Sequence, residues 1–201
     1  MTPRTRHCRG QRLRRAPGLA WALCGMVSLS AWAGSASPPN TRALIALARA
    51  AVESEVRGGS PPHIAAKTPP RAVFVTIERK AKVLGCRGAL ECRTRSLEEE
   101  VVLAARAAAS HDPRYRPLTQ RDLADFLVTV TVVERLEPLD RIESLAPADG
   151  LVLKSGGRTG VVLPWEGKDP KVRLEWACKK AGVPVGAACE LFRMEAERMR
   201  G

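Results

Sequence analysis

The segment LVLKSGGRTGVVL, Leu151 to Leu163, does most to restrict the fold. Two short apolar runs flank Ser155-Gly156-Gly157. Adjacent glycines supply the left-handed backbone that a tight hairpin turn demands. Leu151–Lys154 and Thr159–Leu163 are therefore expected to pair antiparallel, and Pro164 ends the second arm. A second strand signal lies upstream, where Val73, Val75 and Ile77 alternate with Phe74, Thr76 and Glu78. Lys80-Ala81 is a weak turn, and Val83 to Leu90 reads as the returning strand. Leu127 to Glu134 is rich in Val and Thr and reads as a strand with both faces largely buried.

Helical periodicity separates these strands. Asn40 or Thr41 can cap a helix to about Arg57, with Leu44, Ile45, Ala48, Val52 and Val56 on one face and Gly58-Gly59 beyond it. Ser96-Leu97-Glu98-Glu99 is a capping box, in which Ser96 accepts the Glu99 amide and Glu99 reaches back. Its helix runs to about Ser110, with Leu97, Val101, Ala104, Ala105 and Ala108 inward. Thr119 and Asp122 start a short helix. Lys168 to Ala181 reads as a longer one, with Val172, Trp176 and Lys179 plus Leu174 and Cys178 on a mixed face, and Gly182 stops it. The tail ELFRMEAERM fits helix and strand equally. Interspersed helices and hairpins predict an α+β fold, with Leu97, Val101, Val130, Val132, Leu151 and Val162 in the core.

The first 36 residues read as an export signal. Six arginines and no acid precede the apolar run Gly18 to Ala33, and Ala31-Trp32-Ala33 gives an A-x-A cleavage pattern, with a second cut after Ala36. The expected location is outside the cytoplasm, in the periplasm, with an uncleaved membrane anchor as the alternative and no other membrane contact. The whole chain carries 33 basic against 21 acidic residues; without this segment the net charge falls from +12 to +6. A surplus of that size is ordinary for a soluble domain. With one Tyr and three Phe there is no basic stripe interleaved with aromatics, so nucleic acid is not the favoured partner.

Chemistry concentrates in Gly85-Cys86-Arg87-Gly88. Flanking glycines let a ligand approach the backbone, and Arg87 can hold an anion or lower a thiol pKa. Cys86 is the one candidate catalytic residue, and three readings stay open for it. It is a nucleophile, half of a disulfide with Cys92, or an inert thiol at a tight turn. A nucleophile needs a base, and only His63 and His111 follow the export segment. Asp112 and Arg114, in the polar loop His111-Asp112-Pro113-Arg114-Tyr115, are candidates to support a binding site with Gly85, Arg87 and Gly88. Neither Cys86–Cys92 nor Cys178–Cys189 has the spacing of a zinc site, so no metal and no cofactor is expected. The Gly-rich SGGRTG lies in a hairpin and precedes no helix, which argues against phosphate binding.

Five segments in order resemble the AMMECR-type domain family. They are LGCRGAL from Leu84, HDPRYRPL from His111, VTVTVVE from Val128, DGLVLKSGGRTGVVLP from Asp149 and CKKAGV from Cys178. The resemblance spans about Thr41 to Gly201 and looks closest to bacterial members. It implies a compact two-lobed α+β domain with mixed or antiparallel sheets, hairpins and flanking helices, a cleft between the lobes, and a strand from Glu190. The family's activity is not established. Its association with Memo-like and radical SAM proteins implies a protein- or nucleotide-modification pathway. The Arg that precedes Gly-Cys in the family is Leu84 here, and the apolar residue after Cys is Arg87. Two functions follow as expectations. One is a non-catalytic domain binding a small ligand or protein in its cleft, and the other is an enzyme using Cys86.

Overall fold

The computed structural model describes residues 40–201, so the export-signal reading lies outside the described residues. Asn40 opens α1, Thr41–Val56, by accepting the Ala43 amide at 3.2 Å. There follow β1 (Val73–Arg79), β2 (Lys82–Ala89), α2 (Leu97–Ser110), β3 (Phe126–Pro138), β4 (Gly150–Ser155), β5 (Arg158–Val162), α3 (Pro170–Ala181) and β6 (Glu190–Arg200). Ser96 caps α2 through the Glu99 amide at 3.2 Å, but Glu99 reaches one residue further back than a capping box requires, to the Arg95 amide at 2.8 Å. The β1–β2 turn is made by Lys80 and Ala81 with φ of 50° and 61°, without a glycine.

The six strands make one curled, wholly antiparallel sheet in the order β2-β1-β3-β6-β4-β5. β6 joins the halves, pairing with β3 along one edge and β4 along the other. Alternation along β6 sorts the layers. Leu191 and Met199 point to the helix side, into the clusters built with α3 and with α1 and α2. Phe192, Met194 and Ala196 point to the opposite side. That opposite cluster also holds Cys86 and Leu90 from one end of the strand order and Val161 and Leu163 from the other. The sheet therefore curls around a concave face, with all three helices outside it.

Two glycines set how closely the helices approach. A Cβ on Gly85 would lie 2.0 Å from the Ala108 carbonyl oxygen of α2, and one on Gly160 would lie 1.9 Å from the Ala177 oxygen of α3. This contact decides which part of the mixed α3 face turns inward: Cys178 and Leu174 pack against the sheet, and Val172 and Trp176 do not. The buried residues of α3 are Arg173, Ala177, Cys178 and Ala181, while Val172 and Trp176 are 38% and 41% exposed. Only a small residue fits over Gly160, so Ala177 rather than the larger apolar residues chooses the inner side. The six expected core residues are all fully buried.

Candidate functional site

Cys86 sits in the middle of β2, an edge strand, with its side chain on the concave face among the residues packed against Phe74, Val133 and Met194. It stands opposite Thr76 in the ladder, and the Thr76 hydroxyl donates to its Sγ at 3.2 Å. Burial pushes the Cys86 thiol pKa up. The Thr76 bond, Arg114 and Lys180 pull it down and the Glu166 carboxylate pushes it up, but burial dominates. The group is a protonated thiol at neutral pH.

Asp112 and Arg114 do not meet the sulfur; they hold the backbone. The Cys86 amide donates to Asp112 Oδ2 at 2.8 Å, and the Cys86 carbonyl accepts from Arg114 Nη2 at 2.8 Å. Arg114 also binds Asp112 through Nε at 2.9 Å and Nη2 at 2.8 Å. The pair thus occupies the free edge of β2 at one residue, where an added strand would otherwise attach. Burial raises the Asp112 pKa, but the bonds from Arg114 and the Cys86 amide outweigh it and hold the carboxyl below its ordinary range.

The other expected site residues divide. Gly85 faces α2, and Gly88 lies on the concave face, where a Cβ would meet the Phe74 ring at 2.5 Å. Arg87 is paired with Val75, a residue of the helix-side core, so alternation turns Arg87 away from the Cys86 thiol. A cysteine–histidine pair does not form: His111 is exposed and bonds Ser110, and Asp112 meets the Cys86 amide. The four described cysteines are free thiols, Cys92 and Cys189 exposed and Cys178 buried. Among the described residues, no cluster of His, Cys, Asp or Glu could hold a metal and no helix is long and apolar enough to cross a membrane.

Sequence reasoning missed the residues that curling brings to Cys86. Glu166 and Lys180 form an ion pair at 2.6 Å; Lys180 also donates to the Val161 carbonyl of β5 at 2.8 Å, and Glu166 accepts the Leu163 amide at 2.8 Å. Beside them Arg198 stacks over the Trp165 ring at 4.5 Å. Tyr115, half-exposed under Arg114, completes the group; burial raises its pKa against the pull of Arg114. Only Tyr115 was adjacent in sequence to a residue already singled out.

Beyond Gly88 the concave face opens into a groove of about 970 Å³. Phe74, Leu90, Leu136 and Val161 give it an apolar floor. The end of β2 from Gly88 to Glu91 and the Lys154–Thr159 hairpin form its walls, and Cys189 lies on its rim. Cys86 does not line it.

The AMMECR1 family model matches residues 45–199. A protein of Aeropyrum pernix is 38% identical over 175 residues, which cover 77% of this chain and 75% of that one. One of Methanothermobacter thermautotrophicus is 35% identical over 161 residues, 71% and 82% of the respective chains. The crystal structure of an uncharacterized protein from Pyrococcus horikoshii superposes with a TM-score of 0.70 at 26% identity, covering 78% of this chain and 89% of that one. These relatives are archaeal, which gives no support to the expected bacterial grouping. The matched segment, the identities and the shared curled sheet agree, and the chain belongs to the AMMECR1 family.

Proposed function

We propose that this AMMECR1 domain is a binding and accessory domain whose working surface is the groove between the end of β2 and the β4–β5 hairpin, and that it acts outside the cytoplasm. One observation carries the choice of binding over catalysis. Cys86 is half-buried and lies outside the groove, burial keeps its thiol protonated, and its charged neighbours Asp112 and Arg114 serve its backbone. A nucleophilic thiol requires the opposite, a lowered pKa and access. A groove of this volume, with an apolar floor and a few polar groups on its walls, has the form of a ligand site. The basic, then apolar, then small-residue order of residues 1 to 36 supports the location.

Cys189 on the groove rim makes the binding reading testable without knowing the ligand. The full chain is incubated with a panel of small-molecule fragments and peptides, and alkylation of Cys189 is compared with that of exposed Cys92. Binding in the groove slows Cys189 and leaves Cys92 unchanged. A panel that protects neither contradicts the reading. For location, the natively expressed protein should begin at Gly34 or Ser37; a product beginning at Met1 contradicts export.

A further inference from the structure

The two walls of the groove are strand edges, and the ladder register says which of their backbone groups are unused. In an antiparallel pair, successive residues of an edge strand point their N–H and C=O alternately inward and outward. Cys86 points outward, because Asp112 and Arg114 take both of its groups. Gly88, two residues on and paired with Phe74, therefore points outward too. On β5, the Val161 carbonyl takes Lys180, so Val161 points outward, and so does Thr159, two residues before it and paired with Lys154. Neither Gly88 nor Thr159 has another hydrogen-bond partner among the described residues, and both line the groove. The protein has covered both edges at the Cys86 end and left both open at the groove end.

We infer that the groove takes an extended peptide segment, which enters as an added strand and pairs its backbone with Gly88 on one wall and Thr159 on the other. This rests on the binding reading above and names the ligand class. The Asp112–Arg114 pair and Lys180 stop the segment at Cys86 and Val161, so the paired stretch is short. Charge on the walls selects among such segments. Lys154 faces Glu190 in the ladder and Arg93 pairs with Glu100 at 3.9 Å, which leaves Arg158 on one wall and Glu91 on the other. Arg158 has no carboxylate partner among the described residues; its Nη1 donates to the Gly182 carbonyl at 2.7 Å. A peptide carrying a carboxylate beside an apolar side chain matches Arg158 and the Phe74–Val161 floor.

The test uses a random library of biotinylated hexapeptides, capped at both ends, selected on the full chain. Thr159→Pro removes the outward N–H without costing a ladder bond, and proline is tolerated at such an edge position. Thr159→Val keeps the N–H and controls for the side chain. Selected peptides should contain Asp or Glu, bind wild type and Thr159→Val alike, and lose at least tenfold in affinity for Thr159→Pro, with circular dichroism confirming that both variants fold. N-methylation should weaken binding at the amide that faces Gly88 and at the amide of opposite parity that faces Thr159, and should be tolerated beyond this short paired stretch. Peptides that bind Thr159→Pro as well as wild type, or that tolerate N-methylation at every position, overturn the proposal. Small-molecule fragments that protect Cys189 while no peptide is selected overturn it and leave the groove reading standing. Protection by neither class overturns both.

Discussion

Asp112 Oδ2 accepts the Cys86 amide at 2.8 Å across the free edge of β2, and Asp112 itself is 5% exposed. A carboxylate two residues after α2 thereby fixes the position of the strand that carries the thiol. Asp112→Ala leaves the Cys86 amide unpaired and strands Arg114. The expected cost is about 1–3 kcal/mol, the penalty for orphaning a buried donor, read by urea denaturation. A change under about 0.5 kcal/mol would show that β2 is held by its ladder with β1 alone.

Acid sensitivity follows from the same carboxylate and from Asp122. Arg116 holds Asp122 well below the carboxylate range, helped by the Thr119 amide and hydroxyl. Both folded pKa values lie under the unfolded ones. The stability these groups contribute is fully present above about pH 4 and is lost as pH falls through the depressed folded values. Asp112→Asn and Asp122→Asn should each flatten the loss of stability between pH 4 and pH 2, measured by thermal melting across that range. Unchanged slopes would remove these two groups as the origin.

Arg173 is fully buried on α3, and its Nε and Nη2 have no partner among the described residues; Nη1 reaches the Ala146 carbonyl at 3.2 Å. Burial lowers its pKa, while Asp149 and Glu166 favour the charge. A buried ion without full pairing stabilises little, and apolar replacements of similar size are often neutral or better. Arg173→Met should leave stability unchanged or raise it by about 1–3 kcal/mol in a denaturant titration. A loss of similar size would mean that the guanidinium is satisfied by an internal partner such as water.

Gly160→Ala should be among the most damaging single substitutions, since the new methyl would overlap the α3 backbone. Overpacking of this kind costs about 1–3 kcal/mol or more, because backbone cannot move aside as a side-chain tip can. Gly59→Ala, where a Cβ meets nothing nearer than 3.5 Å, is the control. Comparable melting temperatures for the two would refute the close helix–strand contact.

Much of this was legible in the chain. Period-two alternation over Val73–Glu78 and the Gly-Gly turn at Gly156 fixed the strands, and Asn40, Ser96 and Gly182 marked helix ends now seen as caps. The ELFRMEAERM tail was undecided from its residues because polar and apolar positions fit both periods. Its strand state comes from pairing with β3 and β4 on either side, a long-range effect. The site was only half legible. Cys86, Gly88, Asp112 and Arg114 stood in recognisable motifs, but Glu166 and Lys180 lie some eighty and more residues away from Cys86 and reach it only because the sheet curls. Arg87 was misassigned to the thiol because adjacency in sequence is opposition across a strand.

The claim that Cys86 is a half-buried, protonated thiol outside the groove rather than a nucleophile is tested most directly by alkylation. The folded chain is treated with iodoacetamide at pH 7, under reducing conditions and again after unfolding, and each cysteine is mapped by mass spectrometry. Cys92 and Cys189 should label readily in the native state, Cys86 only slowly, and Cys178 only after unfolding. Rapid native labelling of Cys86, rising with pH through a midpoint below the free thiol value of about 8.5, would contradict the account and put catalysis in its place.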